Sequence, residues 1–303
     1  MVLRKVWLLL VVAAVLAGAC APATGSSSQK PTVRLGGQNF TEQTVLVELY
    51  GQALEAAGYQ VERRANLGAR EIVEPALESG QIDMYPEYLA TAERFLSKDA
   101  SKASTDAGET QKALQEAFKA KNITVLDHAP AVNQNGIVVS KATADRHNLK
   151  KVSDLAPVSN QLVFGGPPEC PNRPFCIPGL ERTYGVRFKE FKPLDIGGPL
   201  TVAALEGNQI DVGLLFTTDA AIPQKGFVLL DDDKKLQLAD NVAPVVRDDL
   251  LNRAPADFKG IVNGVTAKLT TQELTDLNKQ VGVDRREARE VAAAWLKAKG
   301  LVK

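Results

Sequence analysis

Ala76-Leu77-Glu78-Ser79-Gly80-Gln81-Ile82-Asp83 recurs, without a gap, as Ala204-Leu205-Glu206-Gly207-Asn208-Gln209-Ile210-Asp211. Each copy reads as the end of a helix, a tight turn and the start of a buried strand. The alignment runs on to set Tyr88 against Phe216 and Thr91 against Asp219, so each strand leads into a loop that carries an aromatic ring. One copy falls in each half of the chain, which predicts two lobes with similar strand–helix units. Independent convergence on a common helix–turn–strand pattern is the alternative, and the gap-free Gln-Ile-Asp argues against it.

Outward from the repeat, strands and helices alternate. Residues 32–35 read as a strand ending in Gly36-Gly37-Gln38, and Asn39 is placed to cap a helix, with Glu42 three residues on as in a capping box. Val45, Leu46, Leu49, Ala53, Leu54 and Ala57 follow at helical spacing until Gly58. Further strands are expected at 59–63, 82–85, 124–126, 137–139, 162–164, 210–214 and 227–230, with closing helices at 271–281 and 285–299, the last capped by Asp284. This alternation predicts an α/β protein with mostly parallel sheets. In such sheets ligands lie beyond the carboxyl ends of strands. Two facing lobes would bring residues 36–39, the Tyr88 loop and the Phe216 loop to one cleft.

The chain opens on basic Arg4-Lys5 and a short apolar run over 6–19. That run, about 14 residues, is shorter than the ~20 that span a bilayer as a helix, and reads as a signal peptide over 1–19. Ala17-Gly18-Ala19-Cys20 resembles the lipobox of bacterial lipoproteins, with Ala17 in place of the usual leucine. That resemblance implies a lipidated Cys20 anchored to the cell membrane, followed by a flexible tether through residue 31. Lys and Arg number 36, Asp and Glu 36, and no basic tract stands out, so nucleic acid is an unsuited partner. Cys170 and Cys176, in a proline-rich stretch of an exported chain, are expected to form a disulfide. His128 and His147 have no partners at ligand spacing, and Asp231-Asp232-Asp233 reads as a solvated turn, so neither a metal nor a cofactor is expected. Tyr85 reads as core, and Tyr184, Phe188 and Phe191 as packing. Gly-x-Ser-x-Gly and His-Glu-x-x-His motifs are absent, which argues against an enzyme on a two-lobed fold.

Several segments together are similar to the substrate-binding proteins of osmoprotectant ABC importers. They are residues 37–43 (Gly-Gln-Asn-Phe-Thr-Glu-Gln), residues 82–91 (Ile-Asp-Met-Tyr-Pro-Glu-Tyr-Leu-Ala-Thr), Arg173 before Pro178-Gly179-Leu180, Tyr184-Gly185, and Ile210-Asp211-Val212 leading into Phe216-Thr217-Thr218-Asp219. The resemblance implies a type II periplasmic-binding-protein fold, with one lobe over 32–131 plus 244–303 and the other over 132–243. It also implies a monomer that closes on glycine betaine, choline, carnitine or a related solute and docks on the importer's membrane subunits. A different small amine or amino-acid-like solute is the alternative. By the same resemblance Gln38, Tyr88, Thr91, Arg173 and Phe216 contact the ligand. Tyr88 and Phe216 would wall the cation, since a trimethylammonium group donates no hydrogen bond and is held by ring faces. Arg173 and Thr91 would hold a polar or anionic end. Where relatives often carry further rings, this chain has Asn135-Gly136, with Gly136 at the cage position, and Asp240. Asp240 is expected either to pair with a cation or to lie at the rim in water.

Overall fold

The computed structural model describes residues 30–98 and 102–303. The expected signal segment, Cys20 and nearly all of the tether lie outside these residues. Ten strands form two five-stranded sheets of order β2-β1-β3-β10-β4 and β7-β6-β8-β5-β9. The first sheet holds β1 (Val33–Gly36), β2 (Val61–Arg64), β3 (Met84–Tyr88), β4 (Ile123–Val125) and β10 (Val242–Arg247). The second holds β5 (Asn135–Val139), β6 (Val163–Gly166), β7 (Glu190–Pro193), β8 (Val212–Phe216) and β9 (Val228–Leu229). Helices α1 (Thr41–Ala56), α2 (Arg70–Glu78), α3 (Leu89–Ser97) and α4 (Ala107–Lys119) go with the first four strands. Around the second sheet run α5 (Lys141–His147), α6 (Ile177–Tyr184), α7 (Pro199–Glu206) and α8 (Ala221–Gln224). After β10 come α9 (Asp248–Arg253), α10 (Asp257–Thr266), α11 (Thr271–Asn278) and α12 (Ala288–Ala298).

The two sheets repeat one plan. In each, three strands run parallel, β2-β1-β3 and β7-β6-β8. Beyond them lie two further strands in antiparallel pairings. The parallel expectation therefore holds for the trio, and the sheets as wholes are mixed. The exceptions have a topological cause: β5 and β10 are the first strands formed after the chain passes from one sheet to the other. The two crossing segments run side by side, bridged at Val132 and Asn241.

The repeated Gln-Ile-Asp has a structural job in both halves. Asp83 accepts from the backbone N–H of Arg34 in β1, and Asp211 does the same for Val163 in β6. The isoleucine before each aspartate is buried against a glycine of the neighbouring strand. A Cβ on Gly36 would stand 2.4 Å from Ile82, and one on Gly165 would stand 2.6 Å from Ile210. Only glycine allows the helix–turn–strand unit to seat this closely.

Two predicted caps are not observed. Extended Phe40 precedes α1 and no side chain caps it, while Glu42 turns inward. Asp284 takes the Lys279 ammonium instead, and α12 begins only at Ala288. Strands β7 and β10 were not expected. β10 is central yet contains Pro244, which normally argues against a central strand. Pro244 turns its backbone toward the β4 side, where its carbonyl accepts from the Leu126 N–H, and the Leu126 carbonyl takes the Gln111 side-chain amide in place of the missing proline N–H. Tyr85 is fully buried, and Phe188 and Phe191 pack on Phe164 at ring-centre distances of 4.6 and 5.9 Å. Asp232 accepts from the N–H groups of Leu236 and Gln237, so the acidic run is a knitted turn.

Candidate functional site

A cavity of about 270 Å³ lies between the sheets, at the carboxyl ends of β1, β3, β6 and β8. Its walls include Gln38, Tyr88, Thr91, Asn135, Arg173, Phe216 and Asp240, all expected from the sequence. Gly136, expected at the cage position, is the exception and does not line this cavity. A Cβ there would stand 2.7 Å from Leu229 and 3.0 Å from the Leu215 carbonyl, away from this cavity. Strand alternation is the reason: Asn135 and Gly136 point to opposite faces of β5. The cavity also gains rings that the sequence reading did not assign, namely Phe40, Phe95 and Phe175. Phe40 packs between the two expected rings, with centres 4.7 Å from Phe216 and 6.1 Å from Tyr88. Phe40 stands in the Gly-Gln-Asn-Phe-Thr-Glu-Gln segment, so the signal was present.

Glu42 is the centre of the junction beside this cavity. Its carboxylate is 2 % exposed and accepts four hydrogen bonds. The donors are the Tyr88 hydroxyl (2.6 Å), Asn133 Nδ2 (2.8 Å), the Thr218 hydroxyl (2.6 Å) and Asn278 Nδ2 (2.7 Å). Those residues come from β3, a crossing segment, the loop after β8 and α11, so one carboxylate ties the two sheets together. Burial raises the Glu42 pKa, and the four hydrogen bonds oppose that rise. The bond from Tyr88, joined by a 3.3 Å one from Gln43, fixes the Tyr88 ring at the cavity wall.

A second chain of charges runs along the other wall. Arg70 on α2 forks onto Glu87 at 2.5 and 2.9 Å and donates to the Thr91 hydroxyl at 2.7 Å. Burial opposes the Arg70 charge, yet Glu87 outweighs it and the guanidinium pKa rises. Asp240 then accepts from the Thr91 N–H (2.9 Å) and hydroxyl (3.2 Å), closing the first turn of α3. It is 3 % exposed, which corrects the expectation of a solvated rim position. Burial pushes its carboxyl up to about 7; Glu87 adds to this, and Thr91 and Arg70 oppose it. Arg173, expected to meet a ligand carboxylate, is already engaged. It forks onto Glu71 at 2.8 and 3.2 Å, joining the disulfide loop to α2 across the cleft. That loop is closed by the Cys170–Cys176 disulfide, with Cα atoms 5.3 Å apart.

These raised acids predict how stability changes with pH. Burial lifts Asp240 to about 7 and Glu74 to about 8, so the folded chain holds these protons more tightly than the unfolded one. Their contribution is complete below the unfolded carboxyl range and is lost as pH rises through the folded values. The melting temperature of the ligand-free protein should therefore fall between about pH 5 and pH 8.5. Acids with lowered values, such as Asp154, Asp233 and Asp257, act below this window. A melting temperature that rises across the window would contradict the assignment.

A family model described as the substrate-binding domain of ABC-type glycine betaine transport systems matches residues 31–298. The carnitine transport binding protein of Listeria monocytogenes is 29 % identical over 297 residues, covering 95 % of this chain and 93 % of that protein. The glycine betaine-binding protein of Escherichia coli is 28 % identical over 283 residues, covering 89 % and 92 %. A crystal structure of a glycine betaine/carnitine/choline ABC transporter protein superposes with a TM-score of 0.70 at 27 % identity, over 89 % of this chain and 99 % of that one. With two matching mixed sheets, an aromatic-walled cavity between them and a family match across nearly the whole chain, this protein belongs to the substrate-binding domains of ABC-type glycine betaine transport systems, a family of transport binding proteins and not of enzymes.

Proposed function

We propose that the chain captures a small quaternary-ammonium solute by closing two lobes, 32–131 with 244–303 and 132–243, and delivers it to the importer's membrane subunits. It works outside the cytoplasm as a monomer tethered by lipidated Cys20. The observation that carries this reading is the ring cluster of Phe40, Tyr88 and Phe216 at the cavity between the sheets. A permethylated cation cannot use hydrogen-bond acceptors fully, but it gains from several ring faces at once. Contacts across the cleft, the buried Glu42–Thr218 bond and the half-buried Arg173–Glu71 pair, support closure around a small guest. Relatives named for carnitine and glycine betaine binding point to the same solute class.

Calorimetry with glycine betaine, choline and carnitine tests the reading directly. At least one should bind well below millimolar, and failure of all three sinks it. Phe216→Ala should weaken the bound solute by ~30-fold, because a desolvated cation–π contact is worth ~2 kcal/mol. Phe216 has no hydroxyl in the Glu42 network, so its loss reads the cage without disturbing that junction. Unchanged affinity would remove Phe216 from the site.

A further inference from the structure

The solute class can be narrowed from two polar atoms in the cavity walls that have no protein partner. Gln38 Nε2 is a buried donor without an acceptor, on a residue 3 % exposed. Asp240 spends Oδ1 on Thr91, while Oδ2 receives no hydrogen bond from the described residues. A buried donor is nearly always paired, so Gln38 Nε2 marks an acceptor that a guest should supply, and the accessible Asp240 Oδ2 can take a donor from the same guest. Several neighbouring polar groups are committed elsewhere: Arg173 to Glu71, Arg70 to Glu87 and Thr91, and Glu42 to its four donors, while the Lys98 ammonium sits over the Phe95 ring.

Resting on the proposed function, we infer that the site prefers a quaternary cation bearing a hydroxyl, whose O–H donates a hydrogen bond to Asp240 and whose oxygen accepts one from Gln38, over one ending in a carboxylate alone. A hydroxyl is both donor and acceptor and meets both vacancies. A ligand carboxylate has no proton to give Asp240, would sit against a like charge, and finds the Arg173 fork already on Glu71. The cationic head is in turn favoured by the ionised Asp240 carboxylate. The groups facing Asp240 are the Thr91 N–H and hydroxyl from α3, Arg70 from α2 and Glu87 from β3; Arg94 and Lys98 of α3 line the same cavity. Because burial lifts this carboxyl to about 7, cation binding should strengthen as pH rises through neutrality.

The test is calorimetry of choline, carnitine and glycine betaine on the wild-type chain at about pH 5.5 and pH 8.5, repeated with Asp240→Asn. At the higher pH choline should bind at least about tenfold tighter than glycine betaine, since a site built to pair a hydroxyl rejects an analogue lacking it. The choline-to-betaine ratio should fall at the lower pH and fall again in Asp240→Asn. The amide keeps an oxygen for the Thr91 N–H, so the start of α3 remains capped. The wild-type pH comparison needs no variant to fold. Glycine betaine binding as tightly as choline, or a ratio untouched by both pH and Asp240→Asn, overturns this inference alone. Absence of binding by all three solutes overturns it together with the proposed function.

Discussion

Replacing Glu42 by alanine should lower the unfolding free energy by about 3–5 kcal/mol and weaken solute binding at the same time. Four buried donors lose their common acceptor, and each unpaired buried donor costs ~1–3 kcal/mol before relaxation. Some of that loss is recovered. Removing the carboxylate also removes its own burial penalty, and Asn278 already lies 3.3 Å from the Thr218 carbonyl. Glu42→Gln should be far milder, within about 1–2 kcal/mol. Its oxygen can keep two donors, and its amide can give to Asn278 Oδ1, which is buried without a partner. Urea unfolding of the two variants checks this. An alanine variant as stable as the parent would mean that the junction is held by packing, with Glu42 a passenger.

Arg70→Met carries a comparable penalty for a different reason. It leaves Glu87, fully buried, without the guanidinium that neutralises it, and breaking a buried pair from one side costs about 3–5 kcal/mol. The stranded carboxyl then rises in pKa, so the folded variant takes up a proton that the unfolded chain does not. The loss is thus smallest in mild acid and grows as pH rises. Adding Glu87→Gln to Arg70→Met should restore most of the stability, because the uncompensated charge is gone. Denaturant titrations at acidic and alkaline pH resolve the three cases. A loss independent of pH, or no recovery in the double variant, would assign the effect to lost packing of the arginine stem. Solute affinity is expected to stay weak even in the double variant, since Thr91 loses the Arg70 hydrogen bond that helps orient it beside Asp240.

Much of the site was legible because its residues stand at strand ends, where chain direction dictates position. Tyr88 and Phe216 close β3 and β8, Gln38 follows β1, and all three reach the cavity. Gly136 was misplaced because a strand has a period of two, and a one-residue error in phase moves a side chain to the other face. Phe40 is hidden as a wall residue because Asn39 and Glu42 satisfy a helix-start pattern around it. That pattern is local, and here a buried tertiary network outweighs it: Glu42 gains four partners in the junction, against one backbone N–H at a cap.

By itself the sequence determined the repeat, the alternation of strands and helices, and the class of protein. The first two depend on spacing along the chain and the third on a family resemblance, and Gln-Ile-Asp occurs twice because the same strand-locking contact is made twice. Tertiary structure alone decided that Asp240 is buried and not solvated, that Arg173 is held by Glu71, and that Glu42 joins groups as far apart in sequence as Tyr88, Thr218 and Asn278. The charge state and the free valences of a buried group depend on neighbours that only the packed fold brings within hydrogen-bond range.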